Sequence, residues 1–524
     1  MRTTVLICAT ILTYWTSSVS NGQVAGRKAD TGRVTFTILD AATDEPIAGR
    51  IHLADAAGKP VLCDRLPSFR DHFSCPGQAT LTLPSGRYTY AMERGPEYSR
   101  AGGSFDVKAG ATAGVSGTLK RIADLASKGW WSGDLHVHRP VKDMQLLMQA
   151  EDLHIAPTLT WWNKSNAWAG SRPPKNRVLQ FDDDRFCDIL GGEDERQGGA
   201  FMYFRMHTPV DITQAEPEYP CALHFVEQAM QQPGAWVDIE KPFWWDVPVA
   251  LAYGYGDSIG LLNNHCWRSQ MLDNEAWGKP RDMKQFPSPH GNGLWSQHIY
   301  YHILNSGIRI APSAGSASGV LTNPLGYNRV YVYTGSRELD YNLWWENLRK
   351  GISFVTNGPL IMPDVSGHRP GHVFKAPEGR TVELEIKLSI TSNDPIRCVE
   401  VVRNGSVVMK YGSPRQVVPP EQFSGKGAVL GTLKFTESGW FLIRVTADVP
   451  NTFRFASTAP YYVEIGDKTH HLDPRSIEFF RDWVDERIGR IDLKDPARRE
   501  EVLKYHRKAQ QFWRERLALA KDRD

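Results

Sequence analysis

The rhythm of apolar residues changes twice along this 524-residue chain, and that change restricts the fold more than any other feature. A period of two places alternate side chains on one face of a strand, whereas a period of about 3.6 lines one face of a helix. Residues 33–120 keep the strand period in "RVTFTILD", "RIHLAD" and "ATLTLPSGRYTYAME", with Pro84-Ser85-Gly86 as a turn. They predict an N-terminal β-sandwich. Residues 129–360 alternate instead. Strand-type runs ("IAPTLTWW", "GAWVDIEKP", "SIGLLNN", "IRIAPSAG") are interleaved with the helical runs "VKDMQLLMQAEDL" and "SQHIYYHILNSG". Strand, helix, strand in succession predicts a parallel sheet or barrel. Residues 375–465 return to period two, with Asn404-Gly405 as a hairpin signal, and predict a second β-sandwich. Residues 474–521 are helical: Asp495-Pro496 reads as N-cap and first helical residue. Val502, Tyr505, Ala509, Trp513, Leu517 and Ala520 form one stripe, so this segment should dock on the body.

The first twenty residues read as an export signal. Arg2 precedes the apolar run Val5 to Trp15, and the small residues Ser18 and Ser20 fit cleavage after Ser20. A periplasmic or secreted location is expected. No later apolar run is long enough for a transmembrane helix. Formal net charge is +2, which gives no electrostatic reason to expect nucleic acid or an anionic membrane as partner. None of the seven cysteines forms a CxxC pair, so a thiolate zinc knot is not expected; Cys63 and Cys75 could be oxidised outside the cell.

The chemistry centres on "GDLHVH". In a strand, His136 and His138 share a face and can chelate one cation, or simply alternate as polar residues. Downstream come "LGGEDE", "GLLNNHCW", "SGIRIAPSAGSASG" and "NLWWENLRKGISFVTNGP". This order resembles the PHP (polymerase and histidinol phosphatase) superfamily of metal-dependent hydrolases, in particular its exported CehA/McbA-like branch. The resemblance implies an α/β fold: a distorted seven-stranded (β/α) barrel over 129–360, flanked by the two β-sandwiches and the C-terminal helical segment. It also implies His136 and His138 as a ligand pair and Glu193 as a bridging carboxylate, with Glu195 a near alternative. The match has gaps. Thr160 to Asn163 stand where the family carries Asp-His, Lys241-Pro242 where it carries His-Pro, and Ser316-Ala317-Ser318-Gly319 where it carries Ser-Asp-Ser-His. Alanine cannot coordinate and an ammonium has no lone pair. One divalent ion (zinc, iron or manganese) is therefore expected, on His136, His138, Glu193 and His265, the last as a replacement ligand.

Asp238 and Glu240 share one face of "WVDIEKP" and are candidates for proton transfer, or they pair with Lys241. Lys241 or Arg309 could stabilise developing negative charge. Asp134 is better suited to fixing loop geometry, and His298 with His302, four apart on a helix, either chelate or pack. Nine of the 17 tryptophans fall between residues 160 and 300. Trp161, Trp162, Trp244, Trp245 and Trp267, with Asn163, are candidates to line a ligand site, because aromatic faces stack on sugars and aromatic ligands. Two functions follow. The first expectation is an exported metal-dependent hydrolase of an ester, carbamate or phosphate-type bond in a small-molecule or saccharide-like substrate, using a metal-activated water. Alternatively, it is a non-catalytic ligand- or carbohydrate-binding relative. The oligomeric state is left open.

Overall fold

The computed structural model describes residues 30–412 and 427–522. The proposed export signal lies outside the described residues.

The N-terminal residues form a β-sandwich. A three-stranded sheet orders Gln78–Pro84, Thr31–Asp40 and Thr112–Leu119, and a five-stranded sheet is built around Gly49–Asp55 and Gly86–Glu93. The period-two pattern does what it should: Val34, Phe36 and Ile38 are buried and meet Ile51, Leu53, Phe73 and Met92 between the sheets. All six described cysteines are free thiols.

The seven-stranded (β/α) barrel expected for residues 129–360 does not form, and the α/β assignment is corrected. Strand makes up 37% of the described residues and helix 20%, so sheets dominate. Ser165–Asn166, Leu159–Trp162, Gly191–Arg196, Gly199–Phe204, Trp236–Ile239, Ser258–Leu262 and Ala311–Ala314 make one open, mixed sheet. Two features depart from the parallel pattern of a (β/α) barrel. Gly191–Arg196 and Gly199–Phe204 are antiparallel, because only two residues join them and a parallel return needs a crossover about a dozen residues long. Gly199–Phe204 also runs antiparallel to Trp236–Ile239. The second feature is Trp130–Gly133, which leaves this sheet and pairs antiparallel with Arg329–Tyr333. That pair continues through Ser353–Thr356 and Phe455–Thr458 into the nine-stranded sheet of the C-terminal part. Trp130, Tyr331 and Phe354 accordingly share a core with Leu384, Val401 and Phe441.

The C-terminal β part packs this nine-stranded sheet near the three strands Leu360–Val365, Val382–Thr391 and Ala428–Phe435. Asn404 and Gly405 both have positive φ, at 47° and 83°, as a two-residue hairpin turn requires. Two helices close the chain, Pro474–Arg490 and Pro496–Lys521, capped by the Asp473 and Asp495 carboxylates. The second buries Val502, Ala509, Trp513, Leu517 and Ala520, with Tyr505 at the margin. It is pinned to the body by Trp513, which donates to the Pro248 carbonyl at 2.9 Å. Among the described residues, no helix is long and apolar enough to cross a membrane.

Candidate metal centre

The "GDLHVH" segment leaves Trp130–Gly133 and threads between two neighbours. Val137 bridges in parallel to both Thr158 and Ser318, so it points into the protein and His136 and His138 point the other way together. Asp134 holds this bend and is fully buried. Its carboxylate accepts the backbone N–H of His136 at 3.1 Å, of Ser316 at 3.0 Å and of Gly326 at 2.7 Å.

Glu193 reaches the same place from the neighbouring open sheet. Nε2 of His136 lies 3.0 Å from Nε2 of His138. Oε2 of Glu193 lies 3.2 Å from the latter and 3.7 Å from the former. These edges define a circle of radius about 1.9 Å. An ion slightly off the plane is therefore about 2.0–2.1 Å from all three atoms, the bond length of Zn–N and Zn–O ligation. Among the described residues Oε2 of Glu193 is buried and faces only these two imidazoles, and a buried acceptor left unsatisfied costs about 1–3 kcal/mol. A cation between the three atoms would satisfy it. One nitrogen or oxygen from each of three side chains suits zinc, iron or manganese.

Glu240 supports this set without joining it. Its Oε1 lies 3.2 Å from Nδ1 of His136, the position from which a carboxylate fixes a ligating imidazole. Its Oε2 accepts from the Trp244 indole at 2.8 Å and from the Lys241 ammonium. Lys241 is buried and sits 4.5 Å over the Trp244 ring. Burial opposes charge on His136, yet Glu193 and Glu240 outweigh it and hold the imidazole at about 10. Burial also opposes ionisation of Glu193, but the two imidazoles carry it well below the usual carboxylate range. Burial, then the charge of Glu193, pushes Glu195 up to about 7.

A cavity of about 220 Å³ opens over the three donors, with Trp162, Glu195, Lys241, Trp244, Asn264 and His265 among its walls. Several buried polar atoms of its walls have no hydrogen-bond partner among the described residues: the Trp162 indole N–H, Oδ1 of Asn264 and Nδ1 of His265. Such groups are rare in folded proteins and point to a polar occupant or water.

Not every expected residue arrives. His265 shares the cavity and burial lowers its pKa to about 3, but it is outside the set of donor atoms lying within 4.8 Å of one another. It is corrected from ligand to wall. Asp238 lies deeper in the sheet, taking the hydroxyls of Ser258 and Ser313, so it is not beside the cavity. Arg309 is at the surface, bound to Glu464 at 2.7 Å. Trp161 is core, stacked on Tyr203 at 5.3 Å. Trp245 packs under Arg490, and Trp267 does not line the cavity. Of the expected lining residues, Trp162 and Trp244 face it, while Asn163 lines an adjoining cleft. Trp277, one of the nine clustered tryptophans, and Asn264 join them in the wall. Nothing in their local sequence sets them apart, although Trp277 belongs to the tryptophan-rich stretch.

Two other histidine groups are weaker candidates. His52, Asp71 and His72 bring donor atoms within 4.8 Å. However, the Arg50 Nε–H donates to Nε2 of His52 at 2.9 Å, which puts the ring proton on Nδ1 facing Asp71 and leaves no lone pair for a cation there. His298 and His302 approach at 3.0 Å between Nε2 atoms, but His302 is held by Ser476 and stacked on Phe479, and no third donor joins them among the described residues.

No protein-family model and no curated protein matches the chain. Among solved structures it is similar to the minor pilin GBS52 of Streptococcus agalactiae (18% identity over 18% of this chain and 46% of that one, TM-score 0.16). It is also similar to the major pilin subunit BcpA of Bacillus cereus (19% identity, 17% of this chain and 30% of that one, TM-score 0.14). The CARDB domain of PF1109 from Pyrococcus furiosus matches over 21% of this chain and 95% of its own, at 18% identity and TM-score 0.14. The chain thus spans less than half of either pilin, and overlaps this slight carry no argument about function.

Proposed function

We propose that His136, His138 and Glu193 hold one divalent cation (zinc, iron or manganese) and that the protein hydrolyses an ester, carbamate or phosphate-type bond. The observation that carries this reading is the triangle of donor atoms with edges of 3.0, 3.2 and 3.7 Å around an otherwise unpaired carboxylate oxygen. When bound, such an ion supplies Lewis acidity and brings proton loss from water toward neutral pH. Glu240 orients His136 and is itself committed to Lys241 and Trp244. Proton transfer therefore falls to Glu195, which lines the cavity and has no ion pair among the described residues. Lys241 places a positive charge in the wall where negative charge would build on a substrate oxygen. The likeness of "GDLHVH" to the PHP motif supports the ligand choice, and export through residues 1–20 belongs to the same proposal.

The non-catalytic alternative rests on a specific observation: Lys241 fills part of the cavity in place of a further ligand. One experiment separates the two. Protein prepared without chelators should carry near-stoichiometric metal by elemental analysis and turn over aryl esters, carbamates or phosphate esters, and His136→Ala should lose both. Absence of metal under every loading condition refutes the hydrolase reading.

A further inference from the structure

The metal cavity does not end at its tryptophans. At about 220 Å³ it is small for a ligand site, where roughly 300–1,000 Å³ is usual. A second cleft of about 500 Å³ adjoins it, and the two share Glu195 and Trp277 as walls. Trp277 is 46% exposed, an unusual position for the largest side chain. It is stacked at 6.3 Å on Trp244, the indole that carries Lys241 and Glu240.

The loop presenting Trp277 is braced, so its exposure is built in. Gly278 bridges to Trp244, and Lys279 donates its N–H to the Phe243 carbonyl at 2.7 Å. A Cβ at Gly278 would lie 2.4 Å from that carbonyl, so the close approach requires glycine. Asp273 and Glu275 are both ion-paired to Arg281, whose side chain is only 1% exposed. Asn292 donates to the Asn274 carbonyl at 2.8 Å. Beyond the indole the cleft is lined by the hydrogen-bonding side chains of Gln197, Thr213 and Gln214 and by charges of both signs, Lys164 and Arg196 against Asp194 and Glu216.

We infer that the two adjoining cavities together bind an oligosaccharide chain, with one sugar ring stacked on Trp277, hydroxyls meeting the polar cleft, and an ester-type substituent of the chain over the metal triangle. A fixed aromatic platform beside amide, hydroxyl and charged hydrogen-bonding groups is complementary to a sugar, which offers apolar ring faces and a rim of hydroxyls. This inference relies on the hydrolase reading only for the removal of that substituent.

The test uses the full chain with xylohexaose, cellohexaose and chitohexaose as probes, followed by tryptophan fluorescence and calorimetry. One of the three should bind. Trp277→Ala should weaken that binding roughly tenfold, the effect of losing one stacking face, and Trp277→Phe should recover most of it. Metal content should be equal in all three proteins. Failure of all three probes to bind, or binding indifferent to Trp277, overturns the inference. Binding that depends on Trp277 in protein that takes up no metal would refute the hydrolase reading alone, whereas stoichiometric metal without saccharide binding refutes the oligosaccharide cleft alone.

Discussion

Replacing Gly192 by alanine should abolish metal binding although residue 192 touches no metal. A Cβ there would stand 1.8 Å from Cε2, 2.1 Å from Cζ2 and 2.2 Å from Cδ2 of Trp161, where ordinary contact begins at 3.4 Å. The ring cannot swing aside. Trp161 is 1% exposed, stacked on Tyr203, and donates its indole N–H to the Leu190 carbonyl at 3.3 Å. The strand must therefore move, by about 1.6 Å, the difference between 1.8 and 3.4 Å. Glu193 is the next residue, and its oxygen belongs to a triangle that leaves only a few tenths of an ångström for an ion to adjust. Overpacking of this kind costs about 1–3 kcal/mol, and metal affinity should fall by at least about 100-fold, more than the loss of an outer partner. Zinc titration against a competing chelator, with calorimetric unfolding alongside, measures both. The double variant Gly192→Ala/Trp161→Ala makes room and should recover metal binding. Wild-type affinity in the single variant, or no recovery in the double, refutes the coupling of this strand to the site.

Glu240→Gln should lower metal affinity about 10- to 100-fold while leaving all three ligands in place, because His136 loses the carboxylate at its Nδ1; equal affinity in the chelator assay would show that the ring is oriented by other means. Arg487 joins the C-terminal helices to the body by pairing with Asp246 at 2.7 Å and with both oxygens of Glu218. Arg487→Met should cost about 3–5 kcal/mol, since it leaves the buried Asp246 carboxylate with only the His506 imidazole, 3.5 Å away, and hydrogen exchange across residues 496–521 should rise. That loss depends on pH in a definite sense. Burial opposes ionisation of Asp246, but Arg487 holds its pKa well below the usual range. The stabilisation is therefore full above the unfolded value near 4 and fades as pH falls through the folded one. The gap between wild type and Arg487→Met should narrow below about pH 4, and a constant gap down to pH 2 would argue against this pair as its source.

What the sequence discloses and what it hides divide along one line: whether a residue's direction is set locally. His136 and His138 are legible because period two alone puts them on a common face, whichever sheet they join. The terminal helices are legible because Asp473 and Asp495 cap their own first turns. Asp238 and Glu240 obey the same alternation, yet only Glu240 reaches the cavity, because Ser258 and Ser313 from neighbouring strands capture Asp238. Arg309 is claimed by Glu464, 155 residues away. The fold class failed for a related reason. Strand-helix alternation describes elements and is silent on their partners, and Trp130–Gly133 finds its partner in Arg329–Tyr333, at the edge of another sheet. The consequence bears on the chemistry. The two histidines lie on the segment that leaves the nine-stranded sheet and hydrogen-bonds, through Leu135 and Val137, to Ala314 and Leu159 of the seven-stranded sheet that carries Glu193, so the donor triangle exists only where these segments are assembled. An ion spanning them would hold the assembled state by its binding free energy. Stability of the metal-loaded protein should then rise with free metal concentration, an effect that His136→Ala removes.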